Sequence, residues 1–349
     1  MQKTQVEIKA QSAPIDIAIL LSVVAIIYGI VLFAEQMQGT FTPNTEIVLD
    51  GGKLPLYSFF SAVRGLVAYF ISLSFALSVG YWAAKSKSAE KFILPFLDIM
   101  QSIPVLGLLP GLVMGLIAIY PRNNVGLEIA AIIMIFTGQD WNMVFSFYAS
   151  LKAIPQDLRD ASLVMRLSNV QKFFRLELPY AAVNLSWNSL MSMAGGWFFL
   201  SVCEAFTLGE TSFRLPGLGA YMSVAIEAGN MRAILSGILA MMSVILVMDI
   251  LVWRPVLAWV YKFRLEDLPG AEQEPPFVEL LLRDSILFRY ALLLRARRPR
   301  LRTQRIKWVQ VFEKMSGHWH RFVRAVRLPW ALVLKVLLGF LVMTLIAAV

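Results

Sequence analysis

The sequence holds a single cysteine, Cys203, and only two histidines, His318 and His320. One thiol excludes an internal disulfide, so cysteine usage carries no information on the redox compartment. The histidines lie in a basic segment without a carboxylate or thiol cluster, which leaves no recognisable metal site and no cofactor. Charge is scarce as well: Asp, Glu, Lys and Arg make up 16% of the chain, against about a quarter in soluble domains. There is no Gly-x-x-x-x-Gly-Lys-Ser/Thr loop, so the chain has no phosphate cradle of its own for ATP. A membrane-embedded enzyme needs a convergent set of nucleophile, acid, base or metal ligands, and none is visible.

What is abundant is apolar surface. Hydrophobic residues make up 58% of the 349 positions, and mean hydropathy is +0.66. A helix crosses the roughly 30 Å of bilayer hydrocarbon with about 20 mainly apolar residues. Seven stretches meet this: 14–34, 57–84, 92–118, 127–149, 181–204, 232–253 and 329–349. Their runs are continuous rather than alternating, which predicts helices and not barrel strands. The first run is too long for a signal peptide, and no small-x-small cleavage site follows Phe33-Ala34-Glu35, so it reads as a retained span.

Basic residues set an expected orientation. With the N-terminus inside, the inner segments 1–13, 85–91, 150–180 and 254–328 hold 26 of the 32 Lys and Arg residues, as the positive-inside rule demands. The run from Arg295 to Arg302 reads as a juxtamembrane segment against anionic lipid rather than a nucleic-acid site, since no base-reading module surrounds it. The chain divides into an N-terminal helix and outer loop (1–56), a core (57–260), a basic linker (261–328) opened by Gly270–Pro276, and a last helix (329–349). The absence of a polar tail after that helix reads as a truncated chain, against a true seven-span protein as the alternative.

The loop between the fourth and fifth spans, 150–180, is the most informative segment. Pro155 fits the first turn of a helix, and Asp157 and Asp160 favour its positive end. Leu158, Ala161, Met165, Phe173 and Leu176 form an apolar stripe. Ser168 followed by Gln171 predicts a capping box that starts a second helix, and Pro179 marks the turn into the fifth span. A firm amphipathic helix pair of this kind suits docking into a partner's groove; the alternative is a helix lying on lipid headgroups.

The order Asp160-Ala161-Ser162, three residues, Arg166, nine residues, Leu176-Glu-Leu178-Pro179 resembles the "EAA" signature of binding-protein-dependent ABC importer permeases. Asp98–Pro104 and Gly217–Tyr221 resemble the nitrate, sulfonate and taurine branch, and the long linker with a restarting helix resembles the first unit of its duplicated permeases. The resemblance covers about 57–260. It implies an all-α membrane protein: a six-helix permease bundle plus one extra C-terminal transmembrane helix, in a bacterial or archaeal cytoplasmic membrane. It further implies a coupling loop carried by Pro155, Asp160, Ala161, Ser162, Arg166, Leu176, Leu178 and Pro179. The implied partners are ABC ATP-binding subunits, an extracytoplasmic solute-binding protein, and a second permease unit or copy, with lipid around them and no nucleic acid. The signature carries glycine where this chain has Arg166. A non-glycine residue in a left-handed turn costs about 1–2 kcal/mol, so either the turn is built differently or Arg166 caps the first helix or meets an acidic group on the partner.

Candidates for a translocation path are Gln101, Ser102, Pro104, Gln139, Asp140, Asn142, Asn184 and Asn188, with Trp187 on the same face as the last two. Gly107, Gly111 and Gly115 form a small-residue stripe that serves either helix packing or a pathway wall. An aspartate at a helix centre costs about 2.5–3.5 kcal/mol on insertion scales, so Asp140 either lines the path or, as the preferred reading, pairs with Arg64. Glu204 and Glu210 are expected near the outer mouth. The expected function is a non-enzymatic permease moving a small solute by alternating access; the other classes are a channel and a membrane-embedded enzyme.

Overall fold

The computed structural model describes residues 12–263. The N-terminal residues 1–11, the linker from 264 onward with both histidines, and the expected helix 329–349 lie outside the described residues.

Long apolar runs satisfy their backbone groups internally as helices. The α-helices of the described residues are α1 (Ser12–Gln38), α2 (Leu54–Lys85), α3 (Lys87–Ser102), α4 (Val105–Ile119), α5 (Val125–Lys152), α6 (Gln156–Val164), α7 (Asn169–Lys172), α8 (Leu178–Cys203), α9 (Leu218–Glu227), α10 (Met231–Met248) and α11 (Arg254–Val260), of which α6 and α7 are short and polar. Four helical runs among the described residues are long and apolar enough to cross a membrane: Asp16–Gln38, Gly51–Lys85, Val125–Lys152 and Met231–Phe263. The core is the packing of α2, α5 and α8. From Gly65 onward the buried positions of α2, Gly65, Ala68, Ser72, Ala76, Gly80 and Ala83, are all small. Such residues let backbones approach closely: a Cβ at Gly80 would stand 3.2 Å from the Val144 carbonyl oxygen.

Helix α8 is more polar than the other spans because of Asn184, Ser186, Asn188, Ser189 and Ser192. Its 26 residues reach about 39 Å, and it runs antiparallel to α5: Asn184 meets Ser150, Asn188 meets Ser146, and Ser189 meets Met143. The expected span 181–204 is thus not among the runs apolar enough to cross a membrane by composition alone, and α5 partners its polar groups along this line.

The third expected span, 92–118, is not one continuous helix. Helices α3 and α4 meet at 91°. Pro104 lacks an amide hydrogen and disfavours helical backbone in the residue before it, and Ile103 is extended (φ −72°, ψ 128°). Helix α3 packs one stripe, Ala89, Ile93 and Leu97, on the bundle, whereas α4 packs Leu109 and Val113 against α5.

A short hairpin interrupts the helical pattern after α8: β1 (Ala205–Leu208) and β2 (Thr211–Arg214), antiparallel, with Leu208 opposite Thr211. Gly209, at φ +60°, takes the left-handed backbone its tight turn requires. The bundle thus has a hairpin end and, opposite it, a loop end built by residues 153–177.

Candidate functional site

At the loop end, α6 and α7 form the expected helix pair. The first ends in a Schellman turn: the Arg166 amide donates to the Leu163 carbonyl (2.9 Å) and the Leu167 amide to the Ser162 carbonyl (3.1 Å). This requires a left-handed residue after the helix, and Arg166 sits at φ 49°. The glycine geometry is therefore kept with arginine in place. The backbone of Arg166 terminates the helix, and its exposed guanidinium makes no hydrogen bond among the described residues. The expected capping box forms reciprocally: Ser168 Oγ accepts from the Gln171 amide (3.3 Å), and Gln171 Oε1 accepts from the Ser168 amide (3.1 Å).

The loop is tied to the bundle by polar groups that the sequence alone did not single out. Arg159 donates to the carbonyls of Ile154, Leu151 and Lys152 at 3.0–3.1 Å, which closes the last turn of α5. Tyr180 Oη donates to the Ala153 carbonyl at 3.0 Å. Lys85 pairs with the buried Glu177, the last residue of a π-helical turn, Phe173–Glu177, that leads into α8.

The predicted apolar stripe is divided. Leu158, Phe173, Leu176 and Leu178 pack against the bundle. The exposed apolar surface is instead the tip, Leu163 (68% exposed), Val164 (83%) and Met165 (72%), together with Phe174. Pro155 precedes α6 as its cap residue, Ser162 is buried, and Pro179 opens α8. Asp160 is exposed and accepts from Gln156 at 3.0 Å, beside exposed Ala161.

The path candidates fall into three places. Asn142, Asn184 and Asn188 line an open groove of about 360 Å³ between α5 and α8, with Ser146 and Ser150. Across it Asn188 donates to Ser146 (3.1 Å) and Asn184 to Ser150 (3.3 Å). Trp187 is exposed but does not line the groove. Gln101, Ser102 and Pro104 stand at the α3–α4 corner, the first two turned back onto Asp98. Gln139 and Asp140 are buried inside the bundle. The glycine stripe of α4 is open: a Cβ at Gly111 or Gly115 would meet nothing within 4 Å, so packing within the described chain does not account for it.

The expected Arg64–Asp140 pair does not form. Arg64 donates from Nε and Nη2 to both oxygens of Glu128 (2.6 and 2.7 Å), and from Nη1 to Glu204 (2.7 Å). Ser61 Oγ donates to Glu204 (2.6 Å) and accepts from the Leu218 amide (2.9 Å), and the Gly219 amide donates to Glu204 Oε2 (2.7 Å). Arg64, Glu128 and Glu204 are all fully buried. Glu128 and Asp140 lie about 18 Å apart along one helix, so an arginine seated on the first does not reach the second. Both Asp140 oxygens are buried without a hydrogen-bond partner among the described residues. Glu204 is thus a structural keystone rather than a mouth residue, whereas Glu210 is exposed on the hairpin turn. The cluster binds α2, α5, α8 and the start of α9, and a side chain at Gly217 would overlap the Glu204 carboxylate. Its sequence signal was three charges of opposite sign isolated in apolar runs.

Residues 76–253 match the family model described as binding-protein-dependent transport system inner membrane component. The chain is 27% identical over 177 residues to the ergothioneine transport permease/ergothioneine binding protein EgtU of Helicobacter pylori (strain G27), covering 49% of this chain and 30% of that protein. It is 26% identical over 149 residues to the nitrate import permease protein NrtB of Synechocystis sp., covering 40% of this chain and 51% of that one. The match thus spans about a third of one curated relative and half of the other. An inward-facing structure of the MetNI methionine ABC transporter aligns at a TM-score of 0.48 and 16% identity, over 57% of this chain and 92% of that chain.

Proposed function

The chain belongs to the binding-protein-dependent transport system inner membrane component family, and from that premise we propose that it is the membrane-spanning permease of an ABC importer. The observation that carries this reading is the pairing of two features at one end of the bundle. One is a helix pair stiffened by a Schellman turn and a capping box, with a bare apolar tip at Leu163–Met165. The other is the open polar groove of Asn142, Asn184 and Asn188 beside the ends of α5 and α8. The tip docks into a separate ATPase subunit, and its displacement on ATP binding is passed through Arg159 and Tyr180 to α5. The groove is one wall of the solute path, and a second permease unit supplies the facing wall. Basic residues concentrated at 85–91 and 150–180 support placing the loop end in the cytoplasm, with an external binding protein delivering solute at the hairpin end.

The groove offers amide and hydroxyl dipoles and no fixed charge. Such a lining suits small anions and zwitterions that exchange part of their water shell for neutral hydrogen bonds; nitrate, a sulfonate or taurine is the expected class. Val164→Glu tests the reading: the exposed site tolerates the charge, so insertion is expected to persist while ATP-driven uptake in vesicles is lost. Uptake at the parental rate overturns the assignment.

A further inference from the structure

Where the loop meets the bundle, a second cavity of about 250 Å³ is lined by Lys85 of α2, Lys152 of α5, Arg159 of α6, Lys172 of α7 and Glu177. Four cations face one carboxylate. Two of them have partners: Lys85 pairs with Glu177, and Lys152 with Glu90 at 2.7 Å. Arg159 uses Nε and Nη2 on backbone carbonyls, and its Nη1 meets no acceptor among the described residues. Lys172 has neither a hydrogen bond nor an ion pair for its ammonium among them. Glu177 Oε2 is buried without a donor.

Two cations without a carboxylate partner among the described residues, Lys172 and the Nη1 side of Arg159, and one orphaned acceptor thus border a single cavity. Like charges held close repel unless an anion lies between them. Arginine and lysine together suit phosphoryl oxygens, the first as a fork and the second as a point charge. The orphaned carboxylate oxygen calls for a hydroxyl donor on the same ligand. The cavity stands at the loop end, which the basic residues direct toward the anionic inner leaflet.

We propose that this cavity binds a hydroxyl-bearing phosphate, either an anionic lipid headgroup such as phosphatidylglycerol or hydrogenphosphate from solution. Arg159 and Lys172 hold the phosphoryl oxygens, and Glu177 accepts from the hydroxyl. Because Arg159 and Lys172 belong to the loop and Lys85 and Lys152 to the bundle, the ligand clasps one to the other. Occupancy is read by binding alone, so the result does not depend on the transported solute or on the ATPase.

The test is native mass spectrometry of the purified full chain in neutral detergent, titrated separately with phosphatidylglycerol and with inorganic phosphate. Phosphatidylcholine is the reference. One tightly held adduct is expected. Lys172→Gln should weaken it about tenfold, the worth of one charge-assisted hydrogen bond, and Lys172→Arg should retain it. Arg175→Gln removes a neighbouring exposed cation outside the lining and should leave the adduct unchanged. An adduct with phosphatidylglycerol alone assigns the headgroup; an adduct with phosphate alone assigns the free anion. No adduct with either, or equal loss in the Lys172→Gln and Arg175→Gln variants, overturns the proposal.

Discussion

At the scale of single residues, two side chains stand where their type is costly, and the surroundings decide the outcome. Arg64 is fully buried, but bidentate bonding to Glu128 and a third bond to Glu204 satisfy it. Removing one partner of a buried ion group strands the other charges, which costs about 3–5 kcal/mol. Arg64→Met should therefore unfold at markedly lower temperature in micelles. Adding Glu128→Gln and Glu204→Gln should recover most of the loss; no recovery would mean that Arg64 acts by packing rather than by charge. Arg166 is the converse case, a backbone penalty with no side-chain hydrogen bond in return among the described residues. Arg166→Gly should relieve about 1 kcal/mol of left-handed strain, seen as slower amide exchange at Leu167. Unchanged exchange would place no strain at that turn.

At the scale of elements, helix ends and interruptions carry the design. The capping box starts the four residues of α7, which run on through the π-helical turn into α8, so its effect is confined to that first turn. Ser168→Ala should destabilise the segment by about 1 kcal/mol, visible as faster exchange at Gln171 and Lys172 with α5 unaffected; a change spread over α5 would contradict the local account. Pro104 shows the opposite effect. In a continuous apolar run it divides two helices by a right angle, because the residue before a proline avoids helical backbone. In α8, polarity is tolerated because α5 covers it, so Asn184 and Asn188 spend their amides across the groove rather than toward lipid. Asn188→Leu should leave insertion and thermal stability intact and lower uptake several-fold in the vesicle assay. Full uptake would remove Asn188 from the path.

At the scale of the whole molecule, the bundle joins a charged keystone at the hairpin end to a capped helix pair at the loop end through the small-residue contact of α2 with α5. Much of this was legible in the chain itself. Apolar run length marked the four runs of the described residues that are long and apolar enough to cross a membrane, because lipid leaves a backbone no partner but its own helix. Ser168, Gln171 and Pro155 announced the loop helices, because capping is settled within one turn. The motif spacing led to the family that residues 76–253 match. What lay hidden was every choice between distant partners. Arg64 was expected to meet Asp140, and only the packing of α2 against α5 and the end of α8 gives it Glu128 and Glu204 instead. The apolar stripe of the loop was readable as a pattern, yet which part of it is covered depends on how the loop folds back through Arg159 and Tyr180. Local rules of helix start, stop and burial act over a few residues and are written in order along the sequence. Which buried charge meets which, and which apolar face stays bare, is decided by packing between segments many residues apart.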